Sequence, residues 1–193
     1  MRACRYPRWF RPRKAAVSQS TLRDRAWRQL THPPVKARNR RNGRFWALVS
    51  FAIQTAMRRG ELLKLQWHQV HLKEGYLDLP GKITKNRKPR IAPLSLRAIR
   101  ILQTQAQTSD FVFPLTVDMV KEAFKRARAL ADATDLRLHD LRHEATSRLF
   151  QRTNLRESEI GDITGHTDLR MLQRYYNKRT SEFVQRFKAS FLS

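Results

Sequence analysis

Cysteine is nearly absent: Cys4 is the only one in 193 residues. This excludes an internal disulfide and leaves no cysteine cluster for a structural zinc. Long apolar runs are missing as well. The longest, residues 45–53, falls well short of the ~20 residues a bilayer-spanning helix needs. Residues 1–14 carry charge with no apolar run behind it, so they do not read as a secretory signal. These absences give the expectation of a cytoplasmic chain without a membrane segment. Acidic residues are scarce, 16 Asp and Glu against 40 Lys and Arg, for a formal net charge of +24. Such an excess repels itself unless a polyanion neutralises it, and nucleic acid is the first such partner to consider. Charge alone leaves a ribosome-associated or membrane-surface protein open. The few carboxylates are dispersed, without the Asp/Glu cluster a two-metal nuclease needs.

The basic excess is uneven. Residues 1–44 hold 14 basic side chains and one acid, Asp24. They are expected to form a basic N-terminal arm, disordered in part, with a short helix from Ser20-Thr21 to about Leu30 and a break at His32-Pro33-Pro34. Arg38, Arg40, Arg41 and Arg44 read equally as a phosphate-tracking stretch and as a solvated arm. The remaining length suits one domain with its own core. Residues 45–57 (FWALVSFAIQTAM) are apolar on nearly every side, as a buried helix is. Residues 70–79, with Glu74-Gly75 as a turn, and 90–94 read as strands of a small antiparallel sheet, separated by a polar loop at 84–89. From Ser95 onward the period is helical: 95–107, 117–131, 139–151, 156–164 and a short element over 169–176. The fold class is mainly α with a small antiparallel β-sheet (α+β). Phe183, Val184, Phe187 and Phe191 fall on one side of a last amphipathic helix over 181–193.

Four segments carry side chains suited to chemistry. In Met57-Arg58-Arg59-Gly60-Glu61-Leu62, Arg58 and Glu61 share a face if the turn is helical. An Arg at the end of a buried helix needs a partner or an anionic ligand, and a plain salt bridge with Glu61 would serve. Thr84-Lys85-Asn86-Arg87-Lys88-Pro89-Arg90 is a basic turn between strands, which alone reads as a solvated hairpin. In His139-Asp140-Leu141-Arg142-His143, His139 and Arg142 point the same way while Leu141, Ala145 and Leu149 face the core. A metal site on His139 and His143 is rejected, because the order is not that of a zinc protease helix and Arg142 would sit beside the cation. In Gly165-His166-Thr167-Asp168 through Arg174-Tyr175-Tyr176, Tyr175 lies nine residues beyond His166. A lone tyrosine on a helix is commonly a packing residue.

Taken in this order, the strings Met57-Arg58-x-x-Glu61-Leu62, Thr84-Lys85…Pro89-Arg90…Pro93-Leu94, His139-Asp140-Leu141-Arg142-His143 and Gly165-His166…Tyr175 resemble the catalytic domain of the tyrosine recombinases, also called the phage integrase family. The resemblance covers residues 45–180 and looks closest to shufflon-type and plasmid or phage integrases. It implies a site-specific recombinase or integrase that cleaves and rejoins double-stranded DNA through a 3′-phosphotyrosyl bond, with no metal, cofactor or ATP. Arg58 and Arg142 would clamp the scissile phosphate, Lys85 would protonate the leaving 5′ oxygen, and His139 would serve as acid–base near the nucleophile. His166 would donate a hydrogen bond to the phosphate, Tyr175 would attack it, and Glu61 would support the site; Tyr176 is the neighbouring rival. Elementary chemistry agrees. Two guanidinium groups pair with the non-bridging oxygens and stay charged at any working pH. A phenol with a pKa near 10 needs help to ionise at neutrality.

The resemblance also implies a homotetramer on DNA, with 181–193 exchanged between protomers or folded onto its own domain, and accessory DNA-bending proteins as further partners. Members normally carry a helical DNA-binding domain ahead of the catalytic one. The 44 residues here do not read as such a domain, which bears on affinity and site choice rather than on chemistry. The competing readings are a type IB topoisomerase-like activity, which shares this residue chemistry, and a non-catalytic DNA-binding remnant.

Overall fold

The apolar stretch at 45–53 lies within a single helix, α1 (Arg40–Thr55), which buries Phe45, Leu48, Val49, Phe51, Ala52 and Ile53. In the computed structural model, residues 40–131, 133 and 135–176 are described. The expected helix at 20–30 and the segment 181–193 lie outside the described residues. After α1 come α2 (Arg59–Lys64), a 3-10 turn (Trp67–Gln69), strands β1 (Val70–His71), β2 (Tyr76–Leu79) and β3 (Arg90–Pro93), then α3 (Leu96–Gln103), α4 (Val117–Leu130), α5 (Leu138–Arg152), α6 (Glu157–Thr164), a second 3-10 turn (Leu169–Leu172) and the single turn α7 (Gln173–Tyr176). The mainly helical, small-sheet class expected from the sequence is the one observed.

Two helix boundaries differ from the sequence expectation. α1 begins five residues ahead of Phe45, within the basic stretch. It also ends at Thr55 rather than Met57, because Ala56 adopts a left-handed backbone, φ 54°. A non-glycine residue there is strained by about 1–2 kcal/mol. The consequence is that Arg58 does not close the buried helix. It is the N-cap of α2, with extended backbone, and the Glu61 carboxylate accepts from its main-chain N–H at 2.9 Å. Elsewhere the caps follow ordinary chemistry. The hydroxyls of Ser95 and Thr116 accept from the Ala98 and Met119 amides, and the Asp140 carboxylate accepts from the Arg137 amide.

The three strands form an antiparallel sheet in the order β1-β2-β3, with Val70 opposite Leu77, Leu77 opposite Ala92 and Leu79 opposite Arg90. Gly75 makes the β1–β2 turn at φ 78°, where a residue with a Cβ would be strained. Leu77, Leu79 and Ala92 point into the main core with α1, α3, α4 and the first half of α5. Period-2 alternation puts Arg90 on the same face as Ala92, so an arginine faces inward while Ile91 is 60% exposed. A second, smaller core joins Phe150, Ile160, Leu172 and Tyr175, with Leu149 and Leu155 at its edge. It hangs Tyr175 from the far half of α5, and α6 runs between this cluster and β3. The loop after α1, the start of β3 and the end of α6 thereby meet in one region.

Candidate active site

The C-terminal end of α6 is the centre of that region. A helix ends with carbonyls that have no intrahelical donor and with a partial negative charge. Here three successive carbonyls, those of residues 163–165, each accept from a different arginine. Arg90 Nε reaches Ile163 O at 3.0 Å, Arg142 Nη2 reaches Thr164 O at 2.7 Å, and Arg58 Nη2 reaches Gly165 O at 2.8 Å. The three guanidiniums come from β3, α5 and the start of α2. Two of them are held together by one further group, the Glu61 carboxylate, which is 1% exposed. It takes Arg58 Nη1 at 3.1 Å and both terminal nitrogens of Arg90 at 2.9 and 3.3 Å. Arg142 completes its arrangement by donating from Nη1 to Ala56 O at 2.6 Å. The strained turn at Ala56 therefore aims a carbonyl at a buried cation.

Charge does not balance within the cluster. Three cations face one carboxylate and a helix end worth about half a charge, leaving an excess of roughly one and a half positive charges for an anion to neutralise. Burial is the largest cause that lowers the Arg142 pKa to about 10, and the like charge of Arg58 adds to it. The guanidinium is still charged at neutral pH. Burial also lowers Arg90, with Glu61 opposing the shift. Arg58 remains more open than Arg90, its side chain 22% exposed against 7%. It is the most solvent-accessible of the three arginines.

His166 and Tyr175 border the arginines. Thr164 Oγ1 donates to Ile160 O, His166 Nδ1 lies 2.6 Å from Thr164 Oγ1, and His166 Nε2 lies 3.2 Å from Arg142 Nη2. The arrangement is consistent throughout if the His166 proton sits on Nδ1 and Nε2 accepts from Arg142. Tyr175 is 8% exposed and stacks on Phe150 with ring centroids 6.0 Å apart. Its hydroxyl is hydrogen-bonded to Nδ1 of His143. His143 in turn meets His139 edge-on at 4.7 Å.

Of the residues singled out from the sequence, Arg58, Glu61, Arg142 and His166 form one bonded network, and Tyr175 borders it. His139 does not share the burial of Arg142: it is exposed at the first turn of α5 and touches the network through His143. Lys85 is exposed on the β2–β3 loop, and among the described residues no hydrogen bond or ion pair ties it to the arginines. That loop is nonetheless built. Thr84 is buried and hydrogen-bonds Gly81 O and Lys88 O, and a Cβ on Gly81 would come within 2.3 Å of Arg87 O. Two participants are not evident from the sequence. Arg90 stands there in the basic turn, in a strand and in one of the matching strings, but with no role of its own, although its inward parity with Ala92 is an available signal. His143 enters as the rejected metal partner of His139 and as the last residue of a matching string, with no role of its own.

Gly165 is where conformation and contact meet. Its φ is 69°, and a Cβ there would press to 3.2 Å from both Arg58 Nη1 and Arg90 Nε. Gly165→Ala is expected to cost about 1–2 kcal/mol from backbone strain alone. It should also weaken anion binding at the cluster at least tenfold, read as the loss of the melting-temperature rise that inorganic phosphate gives the unaltered chain. Gly75→Ala, equally left-handed at φ 78° but with nothing within 4 Å of its Cβ, should lose stability only.

Comparison with known proteins agrees with the fold. The chain matches the phage integrase family over residues 28–182. It is 38% identical over 150 residues to a shufflon-specific DNA recombinase of Escherichia coli, covering 77% of this chain and 38% of that protein. Among solved structures it resembles the catalytic domain of bacteriophage HP1 integrase, with TM-score 0.65, 22% identity and coverage of 86% of this chain and 90% of that one. It also resembles XerH site-specific recombinase bound to difH substrate, with TM-score 0.61, 20% identity and coverage of 86% and 52%. The chain spans 38% and 42% of the length of two curated relatives that it matches. With this match extending over most of its length, the chain belongs to the phage integrase family.

Proposed function

We propose that this chain is a site-specific DNA recombinase that cuts and rejoins strands of double-stranded DNA through a covalent bond between a 3′ phosphate and Tyr175. The observation that carries the reading is the under-compensated arginine cluster at the end of α6, bordered by a tyrosine hydroxyl. A phosphodiester brings one negative charge to that cluster, and attack on phosphorus builds more on its non-bridging oxygens. Arg58 and Arg142, fixed beforehand by Glu61 and by backbone carbonyls, stabilise that charge without reorganising. Tyr175 forms the new P–O bond as the bond from phosphorus to the 5′ oxygen breaks, and Lys85, brought in on its loop, protonates that oxygen. His166 donates to the phosphate from Nε2 in its protonated form, and His139 exchanges protons at the solvent edge. The reverse attack by a 5′ hydroxyl restores the diester, so the cycle consumes no ATP. In this reading the working form is a tetramer on DNA, joined through 181–193, with DNA-bending proteins as accessories.

The test works without a defined target site. The chain is incubated with a pool of nicked duplexes carrying randomised cores, and DNA that stays attached to protein after denaturation is recovered and sequenced. Adduct on a defined sequence is expected, abolished by Tyr175→Phe and kept by Tyr176→Phe. Adduct without sequence preference, together with relaxation of any supercoiled plasmid, would point to the topoisomerase-like activity. Binding without adduct would point to a non-catalytic DNA-binding protein.

A further inference from the structure

We propose that Thr164 is a positioning residue for strand cleavage: its hydroxyl keeps a proton on Nδ1 of His166 and leaves Nε2 as the nitrogen turned to Arg142 and the scissile phosphate. The inference rests on the reading of the arginine cluster as a phosphodiester site and deepens it.

The local backbone brings the two side chains together. α6 ends at a left-handed Gly165, φ 69°, and the Gly165 and His166 amides both donate to Gly161 O, at 2.7 and 3.0 Å. This closure folds the chain back over the last turn of the helix. His166 thereby lies against Thr164, which is 0% exposed. A hydroxyl has one proton to donate. Thr164 Oγ1 gives it to Ile160 O at 2.6 Å, the bond a helical threonine makes to the carbonyl one turn back. What remains on Oγ1 is a lone pair, and His166 Nδ1 lies 2.6 Å from it. Nδ1 must therefore carry a hydrogen.

The other ring nitrogen gives the same answer independently. Nε2 lies 3.2 Å from Arg142 Nη2, and a guanidinium offers only donors. The opposite tautomer would set N–H against N–H at Nε2. A bare Nδ1 would also claim the Thr164 proton and leave two oxygen lone pairs facing each other at Ile160 O. In the resting site the neutral ring accepts at Nε2 from Arg142. When a phosphodiester engages the Arg142 donors, Nε2 gains a proton from solvent and donates a hydrogen bond to a non-bridging oxygen. Thr164 accepts from Nδ1–H in both charge states, so the ring need not turn between them. Thr164 touches neither the phosphate nor the nucleophile and acts through His166.

The experiment compares Thr164→Val, Thr164→Ser and the unaltered chain. Valine keeps the shape and the branching at Cβ but has no acceptor. Ring-nitrogen NMR spectra of the histidines, with His166 assigned by its loss in His166→Gln, report the tautomer in the absence of DNA. Single-turnover adduct formation on a nicked duplex selected from the randomised pool reports the rate. The unaltered chain should show neutral His166 protonated at Nδ1. Thr164→Val should show a mixture of tautomers, keep its DNA affinity, and form adduct about tenfold more slowly, the scale of one lost buried hydrogen bond. Serine keeps the oxygen and should restore the tautomer and most of the rate. A resting proton on Nε2 in the unaltered chain, or a wild-type rate in Thr164→Val, overturns the proposal and leaves the recombinase reading intact. So does a slowed Thr164→Val whose tautomer is unchanged, or a Thr164→Ser as slow as the valine variant. No adduct from the unaltered chain overturns the recombinase reading and the role of Thr164 in cleavage with it.

Discussion

Arg142→Lys is expected to slow adduct formation by about a thousandfold while leaving DNA binding within a few-fold of the unaltered chain. The arginine spans two segments at once, donating to Ala56 O at 2.6 Å and Thr164 O at 2.7 Å, with His166 Nε2 at 3.2 Å. A single ammonium cannot hold both carbonyls and still face two phosphate oxygens. Burial that lowers the Arg142 guanidinium to about 10 would also act on an amine whose ordinary pKa is only about 10.4. The direction is the same for the amine, since burial disfavours its charged form. Losing one preorganised donor to an oxyanion typically costs about 10²- to 10³-fold, and here both geometry and charge suffer. Affinity should be spared because phosphate contacts spread over a basic surface dominate it. Single-turnover rates on the selected duplex, set beside binding measured across a salt series, separate the two. A loss smaller than about tenfold would remove Arg142 from the clamp.

Glu61→Ala should be the most destabilising single change in the site, by about 3–5 kcal/mol, the usual cost of deleting one partner of a buried charge set. For a chain of this size that is a fall in melting temperature of about 10 °C. The carboxylate is 1% exposed and, among the described residues, is the acidic side chain bonded to both Arg58 and Arg90. Without it, three guanidiniums face one another with only a helix end to offset them. Glu61→Gln keeps the shape and one acceptor and should lose less. The sign of the anion effect is diagnostic. Inorganic phosphate or sulfate should raise the melting temperature of Glu61→Ala by more than that of the unaltered chain, because a bound anion replaces the missing charge. Equal stabilisation of both by the anion, or a loss below about 1 kcal/mol in Glu61→Ala, would show that the carboxylate is not what holds the arginines.

The order of elements was legible because periodicity and punctuation are local. An apolar stretch too short for a membrane, a Glu-Gly turn between two β-rich segments and helical spacing after Ser95 each report on residues close in sequence. The residue types of the site were legible for a different reason. Arginines, a proton donor and a nucleophile suit phosphoryl chemistry, and Arg58, Lys85, His139, Arg142, His166 and Tyr175 stand in the strings that carried the resemblance to the phage integrase family. The boundary at Thr55 was not legible. An apolar run through Met57 looks helical until Arg142, 86 residues away, claims the Ala56 carbonyl.

By itself, then, the sequence determined the fold class, the basic character and the set of side chains proposed to act on a phosphodiester. Tertiary structure alone decided which of them meet. It turned Arg90 inward to share Glu61 with Arg58 and stacked three arginines on the carbonyls of residues 163–165. It also placed His143 Nδ1 against the Tyr175 hydroxyl. The physical reason is separation along the chain. Spacing fixes which side chains share a face of one helix or strand, but the contact from Arg58 to Gly165 spans 107 residues. Only the packing of α6 between β3 and the Tyr175 cluster brings those two ends together.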